Sequence, residues 1–219
     1  MFIVEMMPRS ISAEAYRSIR TSIQYSSIDK KIKTLVVTSS LASEGKSTVS
    51  GNLAYVLSEN NNKVLLIDCD LRKPSLHKKF QVSNEKGITD LLINKCTFNE
   101  AVKIMSKSVH LITAGTIPPN PAEIVGSKAL KDFIDKIAKD YDYVVIDTPP
   151  VLAVTDAQLL AAKCDGTVLV VRAKRTKGRF IKAAYNELGK VRANLIGSIL
   201  NDSDMKQKYG YYKHYANKD

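Results

Sequence analysis

Uninterrupted apolar runs recur along the chain, each closed by polar residues, glycine or proline: Leu35-Val36-Val37, Val64-Leu65-Leu66-Ile67 and Tyr143-Val144-Val145-Ile146 are the clearest. Continuous runs of this length belong to strands buried on both faces, whereas a half-exposed strand would alternate. The pattern predicts strands near 34–39, 64–68, 109–113, 143–147, 167–172 and 195–200. Helical spacing between them predicts helices near 12–25, 46–58, 87–93, 98–105, 122–139, 155–163 and 178–190. Such alternation implies an α/β fold, a mostly parallel twisted sheet with helices on both faces. Gly115 and Pro118-Pro119-Asn120-Pro121 predict a rigid loop, because a residue preceding proline is disfavoured in helix.

The chain has 219 residues, 25% charged and 44% hydrophobic, enough to bury a sizeable core. No linker or internal repeat stands out, and a single domain over 1–201 followed by a mobile tail over 202–219 is expected. The longest apolar runs fall far short of the ~20 residues a membrane helix needs. Met1 to Pro8 carries Glu5 and lacks a basic leader ahead of a long apolar core, so it is not read as a signal peptide, and a cytoplasmic location is expected. Cys69, Cys96 and Cys164 are odd in number and form no C-x-x-C pair, which argues against a disulfide framework and a zinc site. The net charge of +11 suits nucleic acid, an anionic membrane surface or a phosphate-rich ligand. No helix-turn-helix, zinc-finger or aromatic stacking pattern accompanies it, so specific nucleic-acid readout is not expected.

Chemistry concentrates after three of the apolar runs. Thr38-Ser39-Ser40-Leu41-Ala42-Ser43-Glu44-Gly45-Lys46-Ser47-Thr48 follows a strand and opens a helix. Its tight backbone and the positive helix end form a cradle for phosphate, Lys46 adds a mobile full charge, and Ser47 is placed to hold Mg²⁺. It departs from G-x-x-x-x-G-K-[ST] at the first glycine position, which is Ser40. The second run ends in Asp68-Cys69-Asp70, where strand pitch sends the two carboxylates to the same side. The third ends in Asp147-Thr148-Pro149-Pro150, the acidic strand that completes a Mg-nucleotide site. Ligands of open α/β sheets gather at the carboxyl ends of strands, where all three segments lie, and nucleotide binding follows.

Together with Leu71-Arg72-Lys73-Pro74, Pro118 to Glu123 and Val151 to Ala157, these strings make the chain resemble the cytoplasmic kinase domain of bacterial tyrosine kinases, which control capsule and exopolysaccharide synthesis and belong to the deviant P-loop ATPases. The resemblance covers nearly the whole chain. Glu14, Arg17 and Arg20 match the family's E-x-x-R-x-x-R pattern, implying self-association, with a ring as the expected assembly. Tyr209, Tyr211, Tyr212 and Tyr215 fall within seven residues and would be autophosphorylation sites presented to a neighbouring subunit. The family's loop usually reads Pro-Gly-Glu-Gly-Lys; here Ala42-Ser43 stands before Glu44-Gly45-Lys46. Leu41 replaces the early lysine of the partition-type relatives, which weakens a partition ATPase reading.

The resemblance implies ATP and Mg²⁺ as cofactors, held by Ser43, Glu44, Gly45, Lys46, Ser47 and Thr48, with Lys46 between the β and γ phosphates. Asp147 would orient metal-bound water, and Asp68 would accept the tyrosine proton or ligate the metal, with Asp70 assisting. Asn201 matches the place where relatives contact adenine, or caps its strand. A transmembrane activator supplied as a separate chain is the expected partner and would recruit the protein to the inner face of the membrane, with protein tyrosines as substrates. A positioning ATPase and a nucleotide-controlled scaffold are the alternatives.

Overall fold

The computed structural model describes residues 2–26 and 31–203. Among them one sheet contains β1 (Thr34–Ser39), β2 (Val64–Asp68), β3 (Val102–Ile104), β4 (Val109–Ile112), β5 (Tyr143–Asp147), β6 (Gly166–Arg172) and β7 (Leu195–Asn201). The strand order is β3-β4-β2-β5-β1-β6-β7, parallel throughout except for β3 against β4. The helices are α1 (Ile3–Met6), α2 (Ile11–Tyr25), α3 (Lys46–Ser58), α4 (Leu76–Phe80), α5 (Ile88–Leu92), α6 (Phe98–Ala101), α7 (Pro121–Gly126), α8 (Lys128–Ile137), α9 (Asp156–Ala161) and α10 (Gly178–Lys190).

The apolar runs are continuous because each strand feeds two cores. Val64, Leu66, Tyr143 and Val145 pack with Val49, Leu53 and Leu57 of α3, while Leu65, Ile67, Val144 and Ile146 pack with Leu130 and Ile134 of α8 and Leu160 of α9. By the same alternation Asp68 and Asp147 emerge on the α3 face, at facing positions of the β2–β5 register. The apolar runs therefore aim both acids at the helix that follows the glycine-bearing loop. Phe2 anchors the amino-terminal segment against the same helix. Its ring lies so close to Gly51 that a Cβ there would sit 2.0 Å from a ring carbon, and its centroid is 4.4 Å from that of Phe80.

Two predicted helices are divided differently. The segment expected as helix over 122–139 breaks at Ser127, whose extended backbone ends α7 and whose hydroxyl both donates to Ile124 O at 2.7 Å and accepts from Leu130 N at 3.1 Å. Serine competes for backbone groups in this way without disturbing the apolar spacing that periodicity reads. The segment expected over 98–105 is helical only to Ala101. Val102–Ile104 then pairs with the edge of β4, a partner invisible to local pattern. The short α4 was not expected at all. It begins where Asp68 Oδ2 accepts from Ser75 N and Leu76 N, at 3.1 and 2.9 Å.

Candidate active site

The loop between β1 and α3 turns on two left-handed residues, Ser43 at φ 62° and Gly45 at φ 94°. Glycine is required at the second, since any Cβ would lie 2.0 Å from Asn201 Nδ2. Asn201, at the end of β7, donates from Nδ2 to Glu44 O at 3.0 Å and so braces the loop from behind. Glu44 is buried; one carboxylate oxygen accepts from Leu41 N at 3.1 Å and the other from the Thr176 hydroxyl. Arg172 donates to Ser43 O at 3.2 Å. Glu44 thus shapes the loop from within, while Gly45, Lys46, Ser47 and Thr48 line a cleft of about 490 Å³ together with Asp70, Arg72, Lys73, Lys79, Pro150 and Val154.

Asp68 and Asp147, at the carboxyl ends of β2 and β5, are fully buried. Asp147 Oδ1 accepts from Ser50 Oγ at 3.0 Å, whereas Oδ2 is buried and has no hydrogen-bond partner among the described residues. Burial pushes the Asp147 carboxyl up to about 6, against the pull of Lys46 and the Ser47 and Ser50 hydroxyls. Asp68 is pushed up to about 7, first by burial and then by Asp147, despite the amides of Leu76 and Ser75. Asp70 N donates to Asp68 Oδ1 at 3.1 Å, so three backbone amides hold this carboxylate. Lys46 Nζ lies 3.1 Å from Asp70 Oδ2.

Ser47 beside an unpartnered carboxylate oxygen is a hard-oxygen donor set of the kind Mg²⁺ takes. Among the described residues no group of three or more His, Cys, Asp or Glu side chains could hold a metal ion. Mg²⁺ at nucleotide sites is commonly held by one or two protein oxygens, with phosphate supplying more.

The cleft therefore brings together Lys46, Ser47, Thr48 and Asp70, while Asp68 and Asp147 lie buried at facing register positions and do not line it. Glu14, Arg17 and Arg20 lie elsewhere, on α2. Arg17 Nε donates to Glu59 at 3.0 Å, Arg17 also pairs with Glu14 at 3.1 Å, and Arg20 pairs with Glu59, just past the carboxyl end of α3. Tyr209, Tyr211, Tyr212 and Tyr215 fall outside the described residues.

Several residues that the sequence reading did not single out are part of this arrangement. Ser50 sits one turn after Ser47, a helical spacing that could have indicated it. Arg72 makes a two-pronged contact with buried Asp156, at 3.0 and 3.1 Å; both lie in the strings that carry the resemblance. Glu59 and Thr176 reach their partners across 39 or more residues of sequence, and no local signal marks them.

A loop-and-helix phosphate cradle with paired acids at the ends of neighbouring parallel strands defines a P-loop nucleotide-binding protein. The AAA_31 model, described as an AAA domain, matches residues 32–196. The chain is 41% identical over 208 residues to tyrosine-protein kinase YwqD of Bacillus subtilis, covering 94% of this chain and 88% of that one. It is 35% identical over 210 residues to the putative tyrosine-protein kinase CapB of Staphylococcus aureus, covering 95% and 92%. The crystal structure of the chimerical protein CapA2B2 superposes with a TM-score of 0.88 at 34% identity, over 92% of this chain and 89% of that one. The chain belongs to the bacterial tyrosine-protein kinases, within the AAA-domain family.

Proposed function

We propose that this kinase uses ATP and Mg²⁺ to phosphorylate the tyrosine cluster Tyr209, Tyr211, Tyr212 and Tyr215 of a neighbouring copy, and that it thereby regulates capsular or exopolysaccharide synthesis together with a membrane activator. The observation that carries this reading is the cleft lined by Lys46 and Ser47, next to buried Asp147, which faces Asp68 in the β2–β5 register. Phosphoryl transfer depends on charge neutralisation and in-line placement more than on covalent help. Bound Mg²⁺ supplies part of that neutralisation, and Ser47 and Asp147 would hold it. Lys46 exchanges Asp70 for the β and γ phosphate oxygens. The bond from the γ phosphorus to its bridging oxygen breaks as the bond to the phenolic oxygen forms, and ADP leaves. Asp68, held by three amides and pushed up to about 7, is poised to take the phenolic proton near neutral pH.

Self-association through Glu14, Arg17 and Arg20 requires these groups to face a second copy. Glu14 is largely exposed, and the guanidinium of Arg17 already bridges it to Glu59. Among the described residues no helix is long and apolar enough to cross a membrane, which suits an activator that brings its own span. The test is phosphotyrosine mapping by mass spectrometry after incubation with Mg-ATP, with and without the cytoplasmic tail of the candidate activator, and with Lys46→Met as control. Phosphate on residues 209–215 of the wild type alone is expected. ATP hydrolysis without phosphotyrosine would overturn the reading in favour of a positioning ATPase.

A further inference from the structure

The cleft is larger than a phosphate cradle, and its outer walls differ in chemistry. One wall is Pro150, Ala153 and Val154, an apolar edge that follows β5. The cationic part of the lining is Arg72, Lys73 and Lys79, carried by the segment that follows β2. Arg72 is held rigid by Asp156, which engages Nε and Nη2 and leaves Nη1 free of that contact. Lys79 gives one hydrogen to Thr48 Oγ1 at 2.9 Å and keeps two. No carboxylate of the described residues pairs with Lys73 or Lys79, although Asp70, the one acid lining the cleft with them, is engaged by Lys46 and by Lys73 N. The basic wall is also fixed in place, because Asp68 and Asp70 bind the amides of Lys73, Ser75 and Leu76 on either side of its turn.

An apolar segment and a cationic segment lining one cleft with the phosphate loop are complementary to a phenol ring whose peptide carries a negative charge beside it. We propose that Lys73, Lys79 and Arg72 form a specificity subsite for an anionic group next to the acceptor tyrosine, with the ring against Pro150, Ala153 and Val154. The inference rests on the kinase reading above and names its preferred substrate class. The tail as synthesised is a poor match, since Lys206, Lys208 and Lys213 flank its tyrosines. Once one tyrosine is phosphorylated, an anion with charge near −2 lies within six residues of every other acceptor in the cluster. The first phosphate then recruits the tail for the next, and modification of the cluster accelerates as it proceeds. An Asp or Glu beside the tyrosine of another protein would be read by the same groups.

The test is fluorescence anisotropy of labelled 202–219 peptides on the full-length chain with Mg²⁺ and a non-hydrolysable ATP analogue. Three peptides are compared: unmodified, phosphorylated at Tyr212, and carrying Lys213→Glu. Wild type is expected to bind the phosphopeptide at least ten-fold more tightly than the unmodified one, and the Lys213→Glu peptide to an intermediate degree. Because Lys73 and Lys79 line the nucleotide cleft, each variant is compared at saturating ATP analogue. Lys73→Ala should then reduce the phosphopeptide preference several-fold, and Lys73→Ala with Lys79→Ala should bring it within two-fold of unity. Lys73→Glu with Lys79→Glu should reverse the preference. Equal binding of the three peptides by wild type, or a preference that survives the double alanine variant, would each overturn the subsite. An intact binding preference with no phosphate transferred to any peptide when the analogue is replaced by Mg-ATP would instead overturn the kinase reading.

Discussion

Gly45→Ala tests how the far edge of the sheet supports the phosphate loop. At φ 94° an alanine carries a left-handed penalty of roughly 1–2 kcal/mol. Its Cβ would also lie 2.0 Å from Asn201 Nδ2 and 3.2 Å from Cγ, which forces the amide away from Glu44 O. Losing that hydrogen bond costs about 1 kcal/mol, so the variant is expected to lose about 2–3 kcal/mol of stability. Asn201→Ala alone loses the bond without the strain, about 1 kcal/mol. The double variant keeps the strain, has no clash and loses the same bond once, so it should also cost about 2–3 kcal/mol. The two single losses therefore exceed the double by about 1 kcal/mol. Urea unfolding of the nucleotide-free chain, followed by circular dichroism with m-values checked for constancy, measures all three. Additivity within about 0.3 kcal/mol would refute the contact as the source of the effect.

Lys46→Met is expected to abolish phosphotyrosine while retaining the wild-type circular dichroism spectrum, because its one ion-pair partner among the described residues is Asp70, which lines the same cleft; retained autophosphorylation would remove Lys46 from the mechanism. Asp68 and Asp147 have folded-state pKa values raised to about 7 and about 6, so the folded state holds more protons than the unfolded one between about pH 4 and 7. The contribution of these two carboxyls to the stability of the nucleotide-free chain should accordingly fall as pH rises through that window, against the opposite contribution of His77 and His110, whose pKa values burial lowers, and Asp147→Asn should gain melting temperature relative to wild type as pH rises. A wild-type melting temperature that gains on Asp147→Asn from pH 5 to 8 would contradict the sign. Ser127→Ala removes the hydroxyl that caps α8 and should cost about 1 kcal/mol in chemical unfolding, with no change in nucleotide affinity. Replacing Glu14, Arg17 and Arg20 together by alanine should leave the chain monomeric in light scattering with nucleotide; an unchanged oligomer would remove α2 as the assembly surface.

The sequence alone carried the layered fold, because strands buried on both faces must be apolar along their whole length and this signal is local. It also carried the phosphate loop and the two acids, since chemistry at a strand's carboxyl end follows directly from where an apolar run stops. Asp147 is one such case: its run predicted the strand, and strand pitch then decided which face receives the carboxylate. Other features needed the tertiary structure. Strand order put Asp68 opposite Asp147 and buried both; burial raises each carboxyl, with Asp147 adding to the rise at Asp68 and Asp70 to the rise at Asp147. The break at Ser127 and the strand at Val102–Ile104 depend on side-chain hydrogen bonds and a sheet edge that periodicity does not contain. Asn201 behind Glu44, Glu59 between Arg17 and Arg20, and Asp156 under Arg72 join residues far apart in sequence. Periodicity records which residues leave water, whereas which polar groups then meet is set by how the buried layers stack.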